Sequence, residues 1–410
     1  MNKNSNKKRC WICKKGISSF MSFGKMPIAN NFLSEEDFKN EYFFEMETAF
    51  CDGCNTFQLV NQPEPEKMFH DNYAFFSGTS TLMDTHFKEF SDSVFQYLDR
   101  DPFVVEIGSN DGIMLKNFAK KGVKHLGIEP SSNVAAVATK QGINTLVSFF
   151  NKSVAEDIVK KYGKASAFIA ANVMCHIPYI NSIVEGISIL LKDEGIVIFE
   201  DPYLGEVIEK TTYDQIYDEH TFLFSAHSVR DLFLQYDMEL IDVEPQETHG
   251  GSMRYFLSKK NKKPINKRVE EIIKQEEALG LTKPETFIQF RKNCENYRTS
   301  LVELLESIRK EGKTISGYAA TSKSTTITNY CGITKDLIDC IYDTTPLKQG
   351  KFSPGTHIPI KSHDEFKDNY PDFALLFGYN HSKEIFAKEE EFLSNGGKWI
   401  IYVPEVKVIQ

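Results

Sequence analysis

The hydrophobic pattern of this chain changes at about Phe103. From there, short apolar segments typical of strands alternate with stretches of helical spacing, in the order FVVEIG, VKHLGIEP, ASAFIAANV, GIVIFEDPY, MELIDVEP and SMRYFLSK. Strands that alternate with helices predict a doubly wound α/β sheet. A turn containing His249, Gly250 and Gly251 separates the last two strands. We therefore expect these strands to pair as an antiparallel hairpin at the sheet edge.

A second alternation follows a charged segment. Residues 264–313 carry apolar residues at helical spacing, and the pattern is interrupted near Gly280 and Pro284, which predicts two amphipathic helices. The strands TISGYAA, LIDCIYD, DFALLFG and KWIIYVP then predict a second, smaller Rossmann-like sheet. The predicted division is an N-terminal module at 1–70, a central domain at 71–262, and a helical linker with a C-terminal domain at 263–410.

Composition narrows the class of protein. The 410 residues suit two or three domains, and 41% hydrophobic with 26% charged residues is typical of globular proteins. The net charge of −9 disfavours nucleic acid and anionic membranes as partners, so we expect a small ligand. No apolar segment follows the basic first residues, which predicts a cytoplasmic protein with reduced thiols.

Four of the eight cysteines form two C-x-x-C pairs, Cys10 with Cys13 and Cys51 with Cys54. Each pair turns tightly enough to place two sulfurs on one ion, and four thiolates leave no open coordination position. We therefore predict a structural zinc, remote from the reaction centre, although the gap between the pairs exceeds the usual ribbon spacing. The alternatives are buried free thiols or a redox pair. The other cysteines lack such spacing and are predicted to be core residues.

The first strand of the central sheet ends in a glycine-containing turn, Glu106-Ile-Gly108-Ser-Asn110-Asp-Gly112, and Glu129 ends the next strand. Glycines at such a turn let a ligand approach the backbone, and an acidic side chain after the second strand accepts ribose hydroxyls. A nicotinamide site prefers G-x-G-x-x-G, whereas E-x-G-x-x-x-G resembles motif I of class I methyltransferases. This resemblance implies S-adenosyl-L-methionine as cofactor. It also assigns Phe150 and Asn172 to the donor site, where packing or capping are the alternative roles.

Nearly the whole chain resembles the nucleotide-sugar C-methyltransferases of the NDP-hexose 3-C-methyltransferase type. The resemblance rests on the paired cysteines and on the ordered motifs DNYAFFSGTS, EIGSNDG, ANVMCHIPYI, YDQIYDEHTFLFS, HGGSMR, NYCGI, KQGKFSPGTHIPI and GYNHSKEI. It implies a class I methyltransferase sheet flanked by a small zinc module and a smaller Rossmann-like domain. It also implies methylation of a 4-keto sugar nucleotide at carbon 3.

The same resemblance implies roles for five residues. A proton beside a ketone is acidic only if the enolate is stabilised, so the site needs a base and a donor to the oxyanion. His220 matches the family's base, and Glu219 is expected to orient it. Tyr217, His176 and Tyr73 match positions near the sugar. Solvent exposure, capping or packing are the alternative roles for these side chains.

Two departures from the family pattern concern the substrate. Tyr-x-Tyr becomes Tyr73-Ala-Phe75, and the usual turn with Lys-Gly-Asn becomes GYAATSKSTTITN. In that turn, Tyr318, Ser322 and Lys323 are predicted to bind the nucleotide pyrophosphate through hydroxyls and an ammonium; a polar surface loop is the alternative. Asn380, in GYNHSKEI, is assigned to the same substrate site.

The leading hypothesis is therefore C-methylation at carbon 3 of a nucleotide-linked 4-keto-6-deoxyhexose. O-methylation of a related nucleotide sugar is the alternative. A third hypothesis is a zinc-ribbon interaction or nucleic-acid-binding protein that keeps a vestigial methyltransferase fold, which the acidic charge and the intact donor motif argue against. The oligomeric state is left open, with a monomer as the expectation.

Overall fold

The computed structural model describes residues 8–68 and 81–410, and these residues form three β-sheets. The N-terminal region contains β1 (Ser19–Pro27), β2 (Phe43–Cys51), β3 (Thr56–Leu59) and α1 (Pro65–Met68). The central region contains α2 (Thr81–Phe95), β4 (Phe103–Ile107), α3 (Leu115–Lys120), β5 (Lys124–Ile128), α4 (Ser132–Lys140), β6 (Thr145–Leu146), α5 (Lys152–Tyr162), β7 (Ala165–Ala171), α6 (Ile180–Leu190), β8 (Leu191–Pro202), α7 (Leu204–Lys210), β9 (Phe222–Leu223), α8 (Ala226–Leu234), β10 (Met238–Gln246) and β11 (Ser252–Lys259).

The C-terminal region contains α9 (Lys267–Leu279), α10 (Pro284–Lys310), β12 (Ile315–Tyr318), α11 (Ser322–Cys331), β13 (Ile341–Asp343), β14 (Ile360–Ser362), α12 (His363–Asp368), β15 (Phe373–Leu376), α13 (Ser382–Lys388), α14 (Glu390–Ser394), β16 (Lys398–Ile401) and β17 (Lys407–Ile409). Short 3-10 helices occur in all three regions, among them Met174–His176, Tyr213–Gln215, Thr248–Gly250 and Tyr379–His381. None of the helices formed by the described residues is long and apolar enough to span a membrane.

The central sheet has the order β10-β11-β8-β7-β4-β5-β6. Its strands run parallel except β11, which is antiparallel to both β8 and β10. The predicted terminal hairpin is confirmed by the pairing of β10 with β11. Every residue of β4 is buried, as expected for a parallel strand covered by helices on both faces. The chain order reverses between β4 and β7, so this sheet has its crevice beyond the carboxyl ends of those two strands.

The C-terminal sheet has the order β14-β13-β12-β15-β16-β17 and is parallel except for β17. The predicted Rossmann-like pattern is therefore confirmed, and β14 and β17 are strands that the sequence analysis missed. The order reverses between β12 and β15, which places a second crevice beyond their carboxyl ends.

The N-terminal sheet has the order β1-β2-β3-β9. Its last strand comes from the middle of the chain: β9 pairs antiparallel with β3, through Phe57 with Leu223 and Gln58 with Phe222. A backbone bond from Leu59 N to Thr221 O (2.7 Å) extends the ladder. The N-terminal module and the central domain thus share one sheet.

The predicted break between the two linker helices is confirmed: α9 ends at a left-handed Gly280, and Pro284 occupies the first turn of α10. Val269 and Ile272 of α9 join the core of the central sheet, whereas α10 packs in the C-terminal core. The buried Glu276 carboxylate also accepts bonds from the first amides of α8 and from Tyr203. The boundary proposed at residue 263 therefore lies between elements that share a core.

Candidate active site

The two crevices open into one cleft of about 370 Å³. Its lining includes residues that follow β4, β5 and β7 of the central sheet and residues that follow β12 and β15 of the C-terminal sheet. The N-terminal module contributes Asn30. Two doubly wound sheets thus present their ligand-binding ends to the same space.

The donor half of the cleft is lined by Gly108, Asn110, Glu129, Phe150 and Asn172. The carboxylate of Glu129 is held by two backbone amides, from Asn110 to Oε2 (3.0 Å) and from Ser131 to Oε1 (2.8 Å). These bonds fix its orientation and leave further lone pairs for ribose hydroxyls. Burial raises the pKa of Glu129 above its usual value, and the two amide bonds oppose that rise.

Gly108 adopts φ +60°, and a Cβ at that position would overlap the side chain of Val173. Gly112 also has a positive φ and lies behind the cleft lining, close to Ile143. Glu106 lies behind the lining as well, and its Oε2 is buried without a hydrogen-bond partner among the described residues. Burial, together with the Glu129 charge, raises the pKa of Glu106 well above its usual range. A buried acceptor without a partner beside these residues fits a polar cofactor bound there.

His220 lies in the middle of the cleft with both ring nitrogens engaged. Its Nδ1 lies 2.6 Å from the carbonyl oxygen of Gln215, which only accepts, so Nδ1 carries the hydrogen. Its Nε2 is then the lone-pair nitrogen and accepts from the Tyr217 hydroxyl at 2.7 Å. Burial, reinforced by His176, lowers the pKa of His220 well below its usual range. The ring is therefore neutral at neutral pH, with Nε2 as its basic atom.

Two further histidines flank this ring. The ring of His176 stacks on His220 with centroids 5.3 Å apart, and burial with nearby His249 lowers its pKa to about 3. His249 Nε2 lies 3.1 Å from Asn172 Nδ2, and burial with nearby Lys323 lowers the pKa of His249 to about 4. Both side chains are neutral hydrogen-bonding groups at neutral pH.

Glu219 and Ser322 are joined through the N-terminal module. Asn30 donates from Nδ2 to Glu219 Oε1 (2.7 Å) and accepts at Oδ1 from the Ser322 hydroxyl (2.9 Å). Glu219, which the sequence analysis expects to orient His220, is thus held in place by Asn30. Ser322 begins α11, so Asn30 connects the loop of His220 to the start of that helix.

Lys323 is a half-buried cation in the part of the cleft formed by the C-terminal region. Its Nζ donates to Asn380 Oδ1 (2.9 Å) and lies 3.4 Å from the carbonyl oxygen of His249. Burial lowers the pKa of Lys323 to about 8, against an opposing effect of the Asp214 carboxylate. Lys348, which also lines the cleft, donates to Ala320 O at 2.7 Å. Two lysines therefore lie at the start of α11: Lys323 is within its first turn, and Lys348 is bonded to Ala320 just before it.

Tyr318 requires a correction. Its ring packs in the C-terminal core against Phe366 and Trp399, and its hydroxyl donates to Glu389 Oε1 at 2.8 Å. Side chains alternate between the two faces of a strand, and Tyr318 projects from the face of β12 opposite to that of Ile315. It is absent from the cleft lining, in contrast to Ser322, Lys323 and Asn380. Tyr73 lies outside the described residues.

The four predicted zinc ligands come together. The sulfurs of Cys10, Cys13, Cys51 and Cys54 all lie within 4.8 Å of one another, with Cys10 to Cys54 at 3.5 Å and Cys13 to Cys51 at 3.4 Å. Zinc–sulfur bonds of about 2.3 Å in a tetrahedron require sulfurs about 3.8 Å apart. The amide of Gln58 donates to Cys10 Sγ at 3.2 Å. This donor set fits a closed, structural zinc site.

Several cleft residues were missed from the sequence. The sequence analysis places His249 in a turn and gives it no role at the site. A histidine beside two glycines, between two paired strands, was the available signal for such a role. Gln215 and Lys348 lie within the motifs YDQIYDEHTFLFS and KQGKFSPGTHIPI but were given no role, whereas Asn30 lies in a segment with no distinguishing pattern.

All three regions of the chain match known protein families. Family models match for a zinc binding domain at residues 10–69, a methyltransferase domain at 81–243 and a C-methyltransferase C-terminal domain at 247–404. The C-methyltransferase NovU of Streptomyces niveus is 33% identical over 394 residues, covering 95% of this chain and 93% of the relative. The chain belongs to this C-methyltransferase family. Its methyl donor is S-adenosylmethionine and its cysteine cluster is a zinc site, as the sequence analysis predicted.

Solved structures match part of the chain. A SAM-dependent methyltransferase from Anabaena variabilis covers 42% of this chain and 83% of its own, with 14% identity and a TM-score of 0.35. The magnesium protoporphyrin IX methyltransferase of Synechocystis, solved with bound SAH, covers 44% and 87%, with 13% identity and a TM-score of 0.34.

Proposed function

We propose that this C-methyltransferase acts on a nucleotide-linked deoxysugar, at carbon 3 of a 4-keto-6-deoxyhexose, through an enolate. The observation that carries the proposal is that Glu129, His220 and Lys323 line one cleft. A donor-binding acid, a neutral base and a cation are the groups that such a reaction requires.

The part of the cleft formed by the C-terminal region suits a diphosphate. Lys323 lies in the first turn of α11 and Lys348 contacts Ala320 just before it, and Thr321 and Ser322 also line the cleft. Backbone N–H groups at a helix start and ammonium groups bind phosphate oxygens by charge-assisted bonds. We assign Ser322, Lys323 and Asn380 to the pyrophosphate, which directs the sugar toward the central sheet.

The histidine cluster suits abstraction of a carbon proton. When the Tyr217 hydroxyl turns from His220 Nε2 to the keto oxygen, Nε2 takes the proton from carbon 3, and the Nδ1–H bond to Gln215 O holds the ring in the required tautomer. The electron pair left on carbon 3 delocalises onto the keto oxygen. Tyr217 and the neutral His176 and His249 are the candidate hydrogen-bond donors to that oxygen.

The donor half places the cofactor beside this carbon. Glu129 binds the ribose hydroxyls, Phe150 packs against the adenine, and Gly108 gives the backbone access that a side chain would deny. S-adenosylmethionine, when bound, supplies an electrophilic methyl group. The cysteine cluster supplies no open ligand position, so zinc holds the fold of the N-terminal module.

Hydrogen exchange tests the proposal. We expect wild-type protein, incubated with a 4-keto-6-deoxyhexose nucleotide and the demethylated donor product, to exchange the carbon 3 proton with deuterated water. Donor carrying a labelled methyl group should place the label on carbon. A label on an ether oxygen, without exchange, would establish O-methylation instead and refute the enolate.

A further inference from the structure

Cys175 lies beside the two histidines of the base region. Its Sγ, a ring nitrogen of His176 and a ring nitrogen of His220 all lie within 4.8 Å of one another. This cluster is separate from the four zinc cysteines, and its sulfur has no role in the methyl-transfer chemistry. One thiolate with two imidazoles is a donor set that Zn²⁺ prefers among common divalent ions.

The three ligand atoms are positioned by hydrogen bonds in their surroundings. His220 donates from Nδ1 to Gln215 O at 2.6 Å, which turns Nε2 toward the cleft in the way that metal-binding histidines are normally oriented. The turn that carries Cys175 and His176 is held by the Asp201 carboxylate, which accepts from Val173 N (3.1 Å) and Cys175 N (3.0 Å). Two of the ligands are therefore adjacent on a restrained turn that faces the third.

The geometry is close to that of a bound ion. Ligands of tetrahedral zinc lie about 3.3–3.8 Å apart, so inward movements of about 1 Å by the side chains complete the site. His176 and His220 line the cleft while Cys175 is buried behind them. An ion can reach the ligands from the cleft, and a water molecule there can take the fourth coordination position.

We propose that Cys175, His176 and His220 form a second, inhibitory Zn²⁺ site. Coordination releases the thiol proton to solvent and occupies the lone pair of His220 Nε2, the atom to which the proposed function gives the carbon proton. It also displaces the hydrogen bond from the Tyr217 hydroxyl. The same ion type thus holds the fold at the cysteine cluster and blocks the reaction at the histidines.

The binding test uses the purified protein with its cysteine cluster filled, dialysed against low-micromolar Zn²⁺. We expect wild type to hold one ion per chain more than Cys175→Ser, which keeps the size of the side chain but removes the thiolate. Cys340→Ser, at another buried cysteine, is the matched control and should retain the extra ion. Cys175→Ala provides a second test if the serine variant folds poorly.

The inhibition test follows methyl transfer. Zn²⁺ should inhibit wild type reversibly, with activity restored by a mild chelator, and Cys175→Ser should need at least about tenfold more Zn²⁺ for half inhibition. Equal zinc content in wild type and Cys175→Ser would overturn the site, as would binding through Cys175 that leaves transfer unaffected. If the protein proves inactive on keto sugars, the dialysis result still decides the metal site, so the two proposals fail separately.

Discussion

The charge of Lys323 makes a quantitative prediction for substrate binding. The ammonium lies beside Asn380, the His249 carbonyl and the Asp214 carboxylate, and burial lowers its pKa to about 8. If Lys323 binds the diphosphate, only its protonated form contributes a charge-assisted bond, worth about 1.5–3 kcal/mol. The contribution is nearly complete at pH 7, is half lost at about pH 8 and disappears as the pH rises further.

The size of the effect follows from the pKa. With a value of about 8, the ammonium form falls from about nine-tenths of the molecules at pH 7 to about one-tenth at pH 9. With a bond worth about 1.5–3 kcal/mol, affinity for a nucleoside diphosphate sugar should therefore fall about five- to tenfold over this range, or about 1.0–1.4 kcal/mol. A lysine with the ordinary pKa of about 10.4 would change affinity very little between these pH values.

The assay is calorimetric titration with thymidine and uridine diphosphate glucose at several pH values. Lys323→Arg is the matched control, because arginine stays protonated throughout the range and should give a flat profile whatever its absolute affinity. Lys323→Met should bind weakly at every pH. A wild-type affinity that does not change to pH 9, or a fall that persists in the arginine variant, would refute the role given to Lys323.

Three further predictions concern the other parts of the cleft. Glu129→Ala should lose about 1.5–3 kcal/mol of donor affinity in calorimetry because it removes a charge-assisted bond to the ribose; unchanged affinity would refute that contact. His220→Ala should lose about 10²–10⁴ in turnover and all hydrogen exchange at carbon 3 while both ligands still bind. Turnover within a few-fold of wild type would instead indicate that His176 or Tyr217 is the base. Removal of zinc should increase amide hydrogen exchange at Phe222 and Leu223, which pair with β3, and leave Val105 in β4 protected. Equal protection of β9 with and without zinc would contradict the idea that the metal stabilises the sheet shared by the module and the central region.

The long parallel strands were predictable because their sequences are almost entirely apolar. Every residue of β4 is buried, and such runs between helical segments leave few alternatives to a parallel sheet. The strands β9, β14 and β17 have two or three residues each, too few to show a period. Only tertiary pairing defines them, so β9 could not be recognised as part of the N-terminal sheet.

The residues of the candidate site likewise divide into those that the sequence predicts and those that only the tertiary fold defines. Glu129 and His220 were found through motifs, because each motif ties a residue type to a strand end or loop of known role. Tyr318 was misassigned because TISGYAA does not reveal which face of β12 covers the cleft and which covers the core formed with Trp399. The polar turn after the strand, with Ser322 and Lys323, lines the cleft instead.

The N-terminal module shows why the site needs all three regions. Gln62 of this module donates to the carbonyl oxygens of both His176 and Asp218, each at 3.1 Å, and so connects the turns that carry the two stacked histidines. Asn30 connects the second of these turns to α11. The central and C-terminal sheets each present a crevice, and direct bonds from Tyr379 and Tyr402 to Asp214 also join the two regions. A small module that cannot bury a large core of its own gains stability from zinc and from β9. Together with those direct bonds, its contacts through Gln62 and Asn30 hold the turn of His220 relative to the start of α11.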